Sequence, residues 1–125
     1  MGWNSIKRCT ADIEFSRFIR IRDKWRCVRC GRQHEEGATT LGCSHYWGRR
    51  NESTRFDPEN CDALCNMPCH RLWGGEGRAD YTAFKKGQLG PKRYRALEKR
   101  SNTYAKKDRK AALKTARELL ASLQG

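Results

Sequence analysis

The sequence predicts one α+β domain in which a short two-stranded hairpin lies among helices, and three observations lead to this fold class. The chain has 125 residues, which is enough for one domain and too few for two. Two short segments, 41–47 and 60–64, have the composition of strands, and the polar segment 48–58 between them suits a connecting loop. Apolar residues recur at helical spacing on both sides of this region.

The helices follow from apolar residues that recur at spacings of three and four. A first helix over 11–24 places Phe15, Phe18 and Ile19 on one face, and Asp12 can cap its start. Later helices are predicted over a short segment that stops at Gly74, over 81–86, over 91–100 and over 106–123.

Positive charge is high and unevenly distributed, with a net charge of +13. Residues 1–70 carry 12 basic and 9 acidic side chains, a net of +3, whereas residues 71–125 carry 15 and 5, a net of +10. This surface favours a polyanionic partner, usually nucleic acid, although an ordinary solvated helix surface is the alternative. We divide the single domain, 1–125, into a core over 12–75 and a basic helical tail over 76–125.

The sequence has no feature of a membrane or secreted protein. No apolar run approaches the roughly 18 residues of a membrane span, and the segment after Met1 lacks the apolar stretch of a signal peptide. We expect no membrane partner and a cytoplasmic location, where cysteines bind metal more often than they form disulfides.

Two closely spaced cysteine pairs predict a structural metal site. A two-residue and a three-residue spacing separate the members of the pairs, and two such pairs suit one tetrahedral Zn²⁺. Cys43 and Cys61 are competing ligands, and Cys9 has no assigned role. A redox pair is the other reading, but no βαβ pattern surrounds either pair. The predicted structural zinc ligands are Cys27, Cys30, Cys65 and Cys69.

Two histidines and an asparagine are interlocked with these cysteine pairs. His45 lies on the first predicted strand, Asn60 follows 15 residues later and His70 ten residues after that. Together with Cys43-Ser44 before His45 and the run 55–60, they resemble the motif of HNH (ββα-metal) endonucleases. More narrowly, the chain is similar to phage recombination nucleases of the NinG/Rap type. The similarity covers about residues 12–124.

This resemblance implies a ββα-metal hairpin carrying a zinc ribbon, and metal-dependent hydrolysis of DNA phosphodiesters. His45 would be the general base, because a neutral imidazole can accept a proton near pH 7. His70 would hold a catalytic Mg²⁺ or Mn²⁺ ion, and Asn60 would position the loop that orients His45. The substrate would be branched or recombination-intermediate DNA, in a phage-encoded or bacterial intracellular protein, and a homodimer is a further partner that the resemblance allows.

The residue before His45 departs from the motif. Most HNH sites have a metal-binding aspartate at this position, whereas this chain has Ser44, and a hydroxyl is a poorer ligand for a hard cation. Either Ser44 binds the catalytic metal weakly, or Asp57, Glu59 or Asp62 replaces it. The alternative functions are a catalytically inactive zinc-ribbon DNA-binding protein and an RNA-binding or RNA-processing protein. The predicted DNA-binding residues are Arg49, Arg50, Arg55, Lys92, Arg93, Lys106, Lys107 and Lys110.

Overall fold

The computed structural model describes residues 7–124, so the first six residues and the last residue of the predicted domain lie outside the described range. Within this range the chain has four helices and one two-stranded antiparallel sheet, which confirms the α+β class. Among the described helices, none combines the length and apolar composition of a membrane span. The elements are α1 (Thr10–Arg22), β1 (Leu41–His45), β2 (Cys61–Cys65), α2 (Arg71–Gly74), α3 (Arg78–Ser101) and α4 (Arg109–Ser122).

The two faces of the hairpin are covered by different helices. In the antiparallel register His45 lies opposite Cys61, and strand alternation sends Ser44 to the other face. Helix α1 covers the His45 face, where the ring centroids of Phe15 and His45 are 6.4 Å apart. Helix α3 covers the opposite face, where the Tyr81 hydroxyl lies 3.2 Å from Ser44 Oγ. Because both faces are covered, all five residues of β2 are buried.

The N-cap residue of helix α1 lies three residues before the expected one. Cys9 occupies the cap position, and its backbone N–H donates to Asp12 Oδ2 at 2.8 Å. Asp12 therefore is not the N-cap residue, but it caps the start of the helix from inside the first turn. A carboxylate three residues into a helix can reach back to the backbone N–H of the residue before the helix.

The helices predicted over 81–86 and 91–100 belong to one segment, α3, which is interrupted at Gly90. Gly90 has φ +79° and ψ 164°, and positive φ of this kind is accessible mainly to glycine. Pro91 begins the second half of the segment, where its missing N–H is tolerated.

The basic helices α3 and α4 contribute buried residues to the core, so they do not form a tail separate from it. Tyr81, Leu97 and Ala116 are buried in the same cluster as Phe15, and α4 packs against α1. An amphipathic helix has to bury its apolar face, and in a chain this short the available partner is the rest of the domain.

An ion pair with no exposed surface joins α3 to β2. Lys85 Nζ lies 2.7 Å from Asp62 Oδ2, and both side chains are 0% exposed. The ammonium group also donates to Glu59 O and Gln88 Oε1, each at 2.8 Å, and Gln88 Nε2 donates to Asp62 Oδ1 at 2.9 Å. The pair tolerates burial because the three ammonium protons have acceptors and both carboxylate oxygens have donors.

The Lys85→Ala variant should therefore lose stability, because it leaves the Asp62 carboxylate buried without its cation. We expect the free energy of unfolding in urea to fall by about 3–5 kcal/mol. The exposed Lys92→Ala is the matched control and should change it by less than about 0.5 kcal/mol. Equal effects of the two substitutions would contradict this assignment.

Candidate metal centre and histidine cleft

The four cysteines predicted as one site converge in space. Cys27 and Cys30 lie in the loop after α1, Cys65 ends β2, and Cys69 lies in the turn before α2. Their Sγ atoms are all within 4.8 Å of one another, and those of Cys30 and Cys65 are 3.6 Å apart. A tetrahedral Zn²⁺ with Zn–S bonds of roughly 2.3 Å would separate its sulfurs by about 3.8 Å. The cluster is thus compatible with a structural metal such as zinc.

Two further side chains hydrogen-bond to these sulfurs. Arg29 donates to Cys69 Sγ at 3.3 Å, and His34 Nε2 lies 3.1 Å from Cys65 Sγ. The other ring nitrogen of His34 is 2.9 Å from Thr40 Oγ1. Hydrogen bonds of this kind orient metal ligands and tune their charge. The sequence predicts only that His34 lies in a loop, which it does, but the side chain is also buried. Its position four residues after the first cysteine pair was the available signal for a contact with the cysteine cluster.

The competing cysteines lie outside this cluster. Cys43 and Cys61 come together with His45 on the α1 face of the hairpin, and the ligand atoms of these three residues are within 4.8 Å of one another. Cys9 belongs to neither group, and its thiol lies 3.2 Å from Asp12 Oδ2. The described cysteines therefore form two separate groups whose geometry could hold a metal, and one lone thiol.

A buried asparagine holds the loop that contacts His45. Asn60 is 0% exposed, and its Oδ1 accepts from the Trp47 N–H at 2.9 Å. Its Nδ2 donates to Trp47 O at 2.8 Å and to Thr54 O at 3.1 Å. These bonds tie both ends of the loop between the strands. The next carbonyl, that of Arg55, lies 2.9 Å from His45 Nε2.

The hydrogen bond to Arg55 decides the tautomer of His45. A carbonyl oxygen only accepts, so Nε2 carries the proton, and Nδ1 of the neutral ring keeps its lone pair. Burial lowers the pKa of His45 to about 4, although the bond to the Arg55 carbonyl opposes this, and the nearby Arg49 lowers it further. The imidazole is therefore neutral at pH 7.

His45 and His70 line one cleft of about 600 Å³. Arginines 8, 20 and 49 also line it, and their guanidinium groups suit a phosphate backbone. The His70 side chain is exposed, and partial desolvation by the neighbouring protein lowers its pKa. Asn60 is not part of the cleft lining. The structure therefore brings two of the three predicted catalytic residues, His45 and His70, to the cleft, and places Asn60 in the loop that contacts His45.

Ser44 is not available to a metal in this cleft. It lies on the α3 face of the hairpin, 3% exposed, with the Tyr81 hydroxyl at 3.2 Å. This geometry opposes the expectation that Ser44 binds the catalytic metal, because adjacent residues of a strand point to opposite faces and its neighbour His45 faces the cleft.

The three carboxylates considered as replacements are occupied elsewhere. Arg100 contacts Asp57 and Glu59, each at 2.8 Å, and Asp62 is paired with Lys85 at 2.7 Å. None of the three is among the residues that line the cleft, which opposes the expectation that one of them replaces the missing aspartate.

Arg55 and Asp12 form a pair that supports the cleft wall. Arg55 is 2% exposed, and its Nε donates to Asp12 Oδ1 at 2.9 Å. Burial raises the pKa of Asp12, but the hydrogen bonds from Arg55 and Cys9 outweigh it and hold that pKa well below its usual range. These contacts oppose the expectation that Arg55 binds DNA, because its side chain pairs with a buried carboxylate and its carbonyl contacts His45.

The cleft donors do not fit a hard cation. Mg²⁺ and Mn²⁺ prefer oxygen ligands, carboxylates above all. Asp12 is the single carboxylate among the described cleft residues, and Arg55 and Cys9 already occupy it. His70 remains as an exposed imidazole at the cleft, where no described carboxylate is free to complete a magnesium site.

The other predicted DNA-binding residues differ in their surroundings. Arg49 is half-buried in the cleft lining. Arg93 is exposed, but its guanidinium lies 2.6 Å from Glu59 Oε2, which neutralises part of its charge. That they bind DNA stays a prediction. The remaining exposed members are Arg50, Lys92, Lys106, Lys107 and Lys110.

Comparison of the chain with models of protein families, with curated proteins and with solved structures finds no match.

The Cys27→Ser variant should lose its tightly bound zinc and unfold, because metal binding and folding are coupled in small metal-dependent domains. Zinc content and circular dichroism of the purified variant measure the two effects. Cys9→Ser is the matched control and should keep both zinc and helix content. A Cys27→Ser protein that folds and binds zinc as wild type does would contradict the four-cysteine assignment.

Proposed function

We propose that this protein is an endonuclease of the HNH type that hydrolyses DNA phosphodiesters, with a structural zinc held by its four-cysteine cluster. The observation that carries the proposal is the state of His45: a neutral imidazole, oriented by the Arg55 carbonyl, in a cleft lined by arginines. A base that is fixed, neutral and next to cationic groups is what attack by water on a phosphodiester requires.

In the proposed reaction His45 Nδ1 accepts a proton from water while that water attacks phosphorus. The P–O bond to the leaving sugar oxygen breaks as the new P–O bond forms, and the leaving oxygen takes a proton from solvent water. Arg8, Arg20 and Arg49 bind the phosphoryl oxygens and stabilise the negative charge that develops on them. Asn60 acts as a positioning residue, because it holds the loop whose carbonyl orients His45. None of these steps passes through a magnesium ion, since the donors in the cleft do not fit one.

The rest of the proposal follows from the order of the elements and from the charge. β1, β2 and the segment with His70 and α2 occur in the order of a ββα-metal hairpin, which the sequence resemblance implies. The exposed Lys and Arg side chains of α3, α4 and the loop between them would bind the DNA backbone, with an affinity that falls steeply with salt. Branched or recombination-intermediate DNA is the substrate that the resemblance favours.

A second candidate function is a zinc-dependent DNA-binding protein without cleavage activity. One observation favours it: Ser44 faces away from the cleft, and no described carboxylate there is free to bind a hard cation. Incubating the purified protein with plasmid and with branched DNA, in Mg²⁺, Mn²⁺ or EDTA, separates the two candidates.

The His45→Ala variant should cut DNA about 10²–10⁴-fold more slowly than wild type, because loss of a general base typically reduces the rate by this factor. Zinc content, helix content and DNA affinity should stay close to the wild-type values. The readout is the initial rate of plasmid nicking under conditions in which the wild-type protein is active.

The adjacent Ser44→Ala is the matched control for this experiment. Ser44 belongs to the same strand but faces α3, so its substitution should leave the nicking rate within about threefold of wild type. If His45→Ala cut DNA at the wild-type rate, His45 would not be the base. If Ser44→Ala folded but did not cut DNA, Ser44 would have a part in the reaction.

A further inference from the structure

The second metal-ligating group lies on the hairpin face that α1 covers. Cys43 and His45 are two residues apart in β1 and so share one face, and Cys61 is the partner of His45 across the sheet. The two thiol sulfurs and an imidazole nitrogen lie within 4.8 Å of one another. The backbone register of the hairpin, and not a flexible loop, therefore brings these donors together.

The chemistry of the three donors selects the kind of metal. Two thiols and one imidazole are soft ligands that suit Zn²⁺, and a Cys2His set that leaves the fourth position open is an established zinc arrangement in proteins. The same donors are a poor match for Mg²⁺, which prefers carboxylates and water.

The hydrogen bond of His45 is also the one that a zinc ligand would make. Metal-bound histidines usually donate their other ring N–H to a carbonyl or carboxylate, which fixes the ring and its tautomer. His45 Nε2 donates to the Arg55 carbonyl at 2.9 Å, so Nδ1 has the lone pair that can bind a metal.

The cleft gives the group a route to solvent. Cys43 and His45 line the cleft, and Cys61 lies behind them with 0% exposure. An ion could reach the three donors from the cleft, and its remaining coordination position would be on the solvent side, among the arginines.

We propose that Cys43, His45 and Cys61 form a second zinc site, separate from the four-cysteine cluster and open to the cleft. Zinc bound there occupies the lone pair of His45 Nδ1. Where the proposed function holds, the consequence is that zinc at this site inhibits cleavage, because the base is no longer able to accept a proton. With three protein donors instead of four, this second ion binds more weakly than the first.

The test is the number of zinc ions bound per chain in excess buffered zinc, measured by elemental analysis after removal of free metal. Wild-type protein should bind two, and Cys43→Ser should bind one, because the serine oxygen is a poor zinc ligand. Cys9→Ser, whose thiol lies in neither group, should bind two. One ion per wild-type chain, or two per Cys43→Ser chain, would overturn the second site.

A readout on the wild-type protein keeps the test valid if Cys43→Ser does not fold. The ring resonances of His45, followed by NMR during a zinc titration, should shift only with the second equivalent of zinc. Unchanged His45 resonances after two equivalents would overturn the proposal.

The second site and the proposed function fail in different ways. A protein that binds two zinc ions, shifts the His45 resonances and shows no cleavage with one ion bound refutes the nuclease function and leaves the site standing. A protein that cleaves DNA but binds one zinc ion refutes the site alone.

Discussion

Four cysteine sulfurs within 4.8 Å of one another join three segments that are distant in the sequence: the loop after α1, the end of β2 and the turn before α2. Beside them, the Val28 N–H donates to Ala63 O at 3.0 Å, which ties the cysteine loop directly to β2. The sheet has two strands, and a two-stranded hairpin is marginally stable by itself. A metal bound by the cluster would fix the end of the hairpin against α1, and the cleft depends on that position.

Side chains alternate along a strand, so the two faces of the hairpin carry different groups of polar residues. His45 and its neighbouring cysteines lie on the α1 face beside the cleft, whereas Ser44 and Asp62 lie on the α3 face in a network closed to solvent. The proposed base and a buried ion pair therefore lie on opposite faces of the same two strands. Because of the same alternation, the side chain of Ser44 does not face the cleft that His45 lines.

Local patterns predicted much of this arrangement. The spacing of the cysteine pairs predicted that four cysteines come together, and they do. Of the three residues of the His45–Asn60–His70 pattern, the two histidines line one cleft and Asn60 lies in the loop that contacts His45. The helices followed from their apolar periodicity, and the two segments predicted over 81–86 and 91–100 meet at the interruption of α3 at Gly90. These features depend on residues close together in the chain or on ligands whose chemistry leaves few partners.

The errors came from pairings across long distances in the sequence. Arg55 has the composition of a DNA contact, but a carboxylate 43 residues earlier pairs with it in the interior. His34 acquires its role from Cys65, 31 residues later. The acidic residues of 57–62 were expected to be free to bind metal, but Lys85 and Arg100 of α3 form ion pairs with them. For Arg55 and for the acidic residues of 57–62, a single sequence carries no local signal for such partners.

The central claim is that the four-cysteine cluster holds the metal on which the fold and the cleft depend. X-ray absorption at the zinc edge, on protein carrying one zinc per chain, tests it most directly, because it counts the atoms bound to the metal. The account predicts four sulfur ligands at roughly 2.3 Å. A nitrogen ligand at roughly 2.0 Å in the spectrum, or a chain that folds fully without any metal, would contradict it.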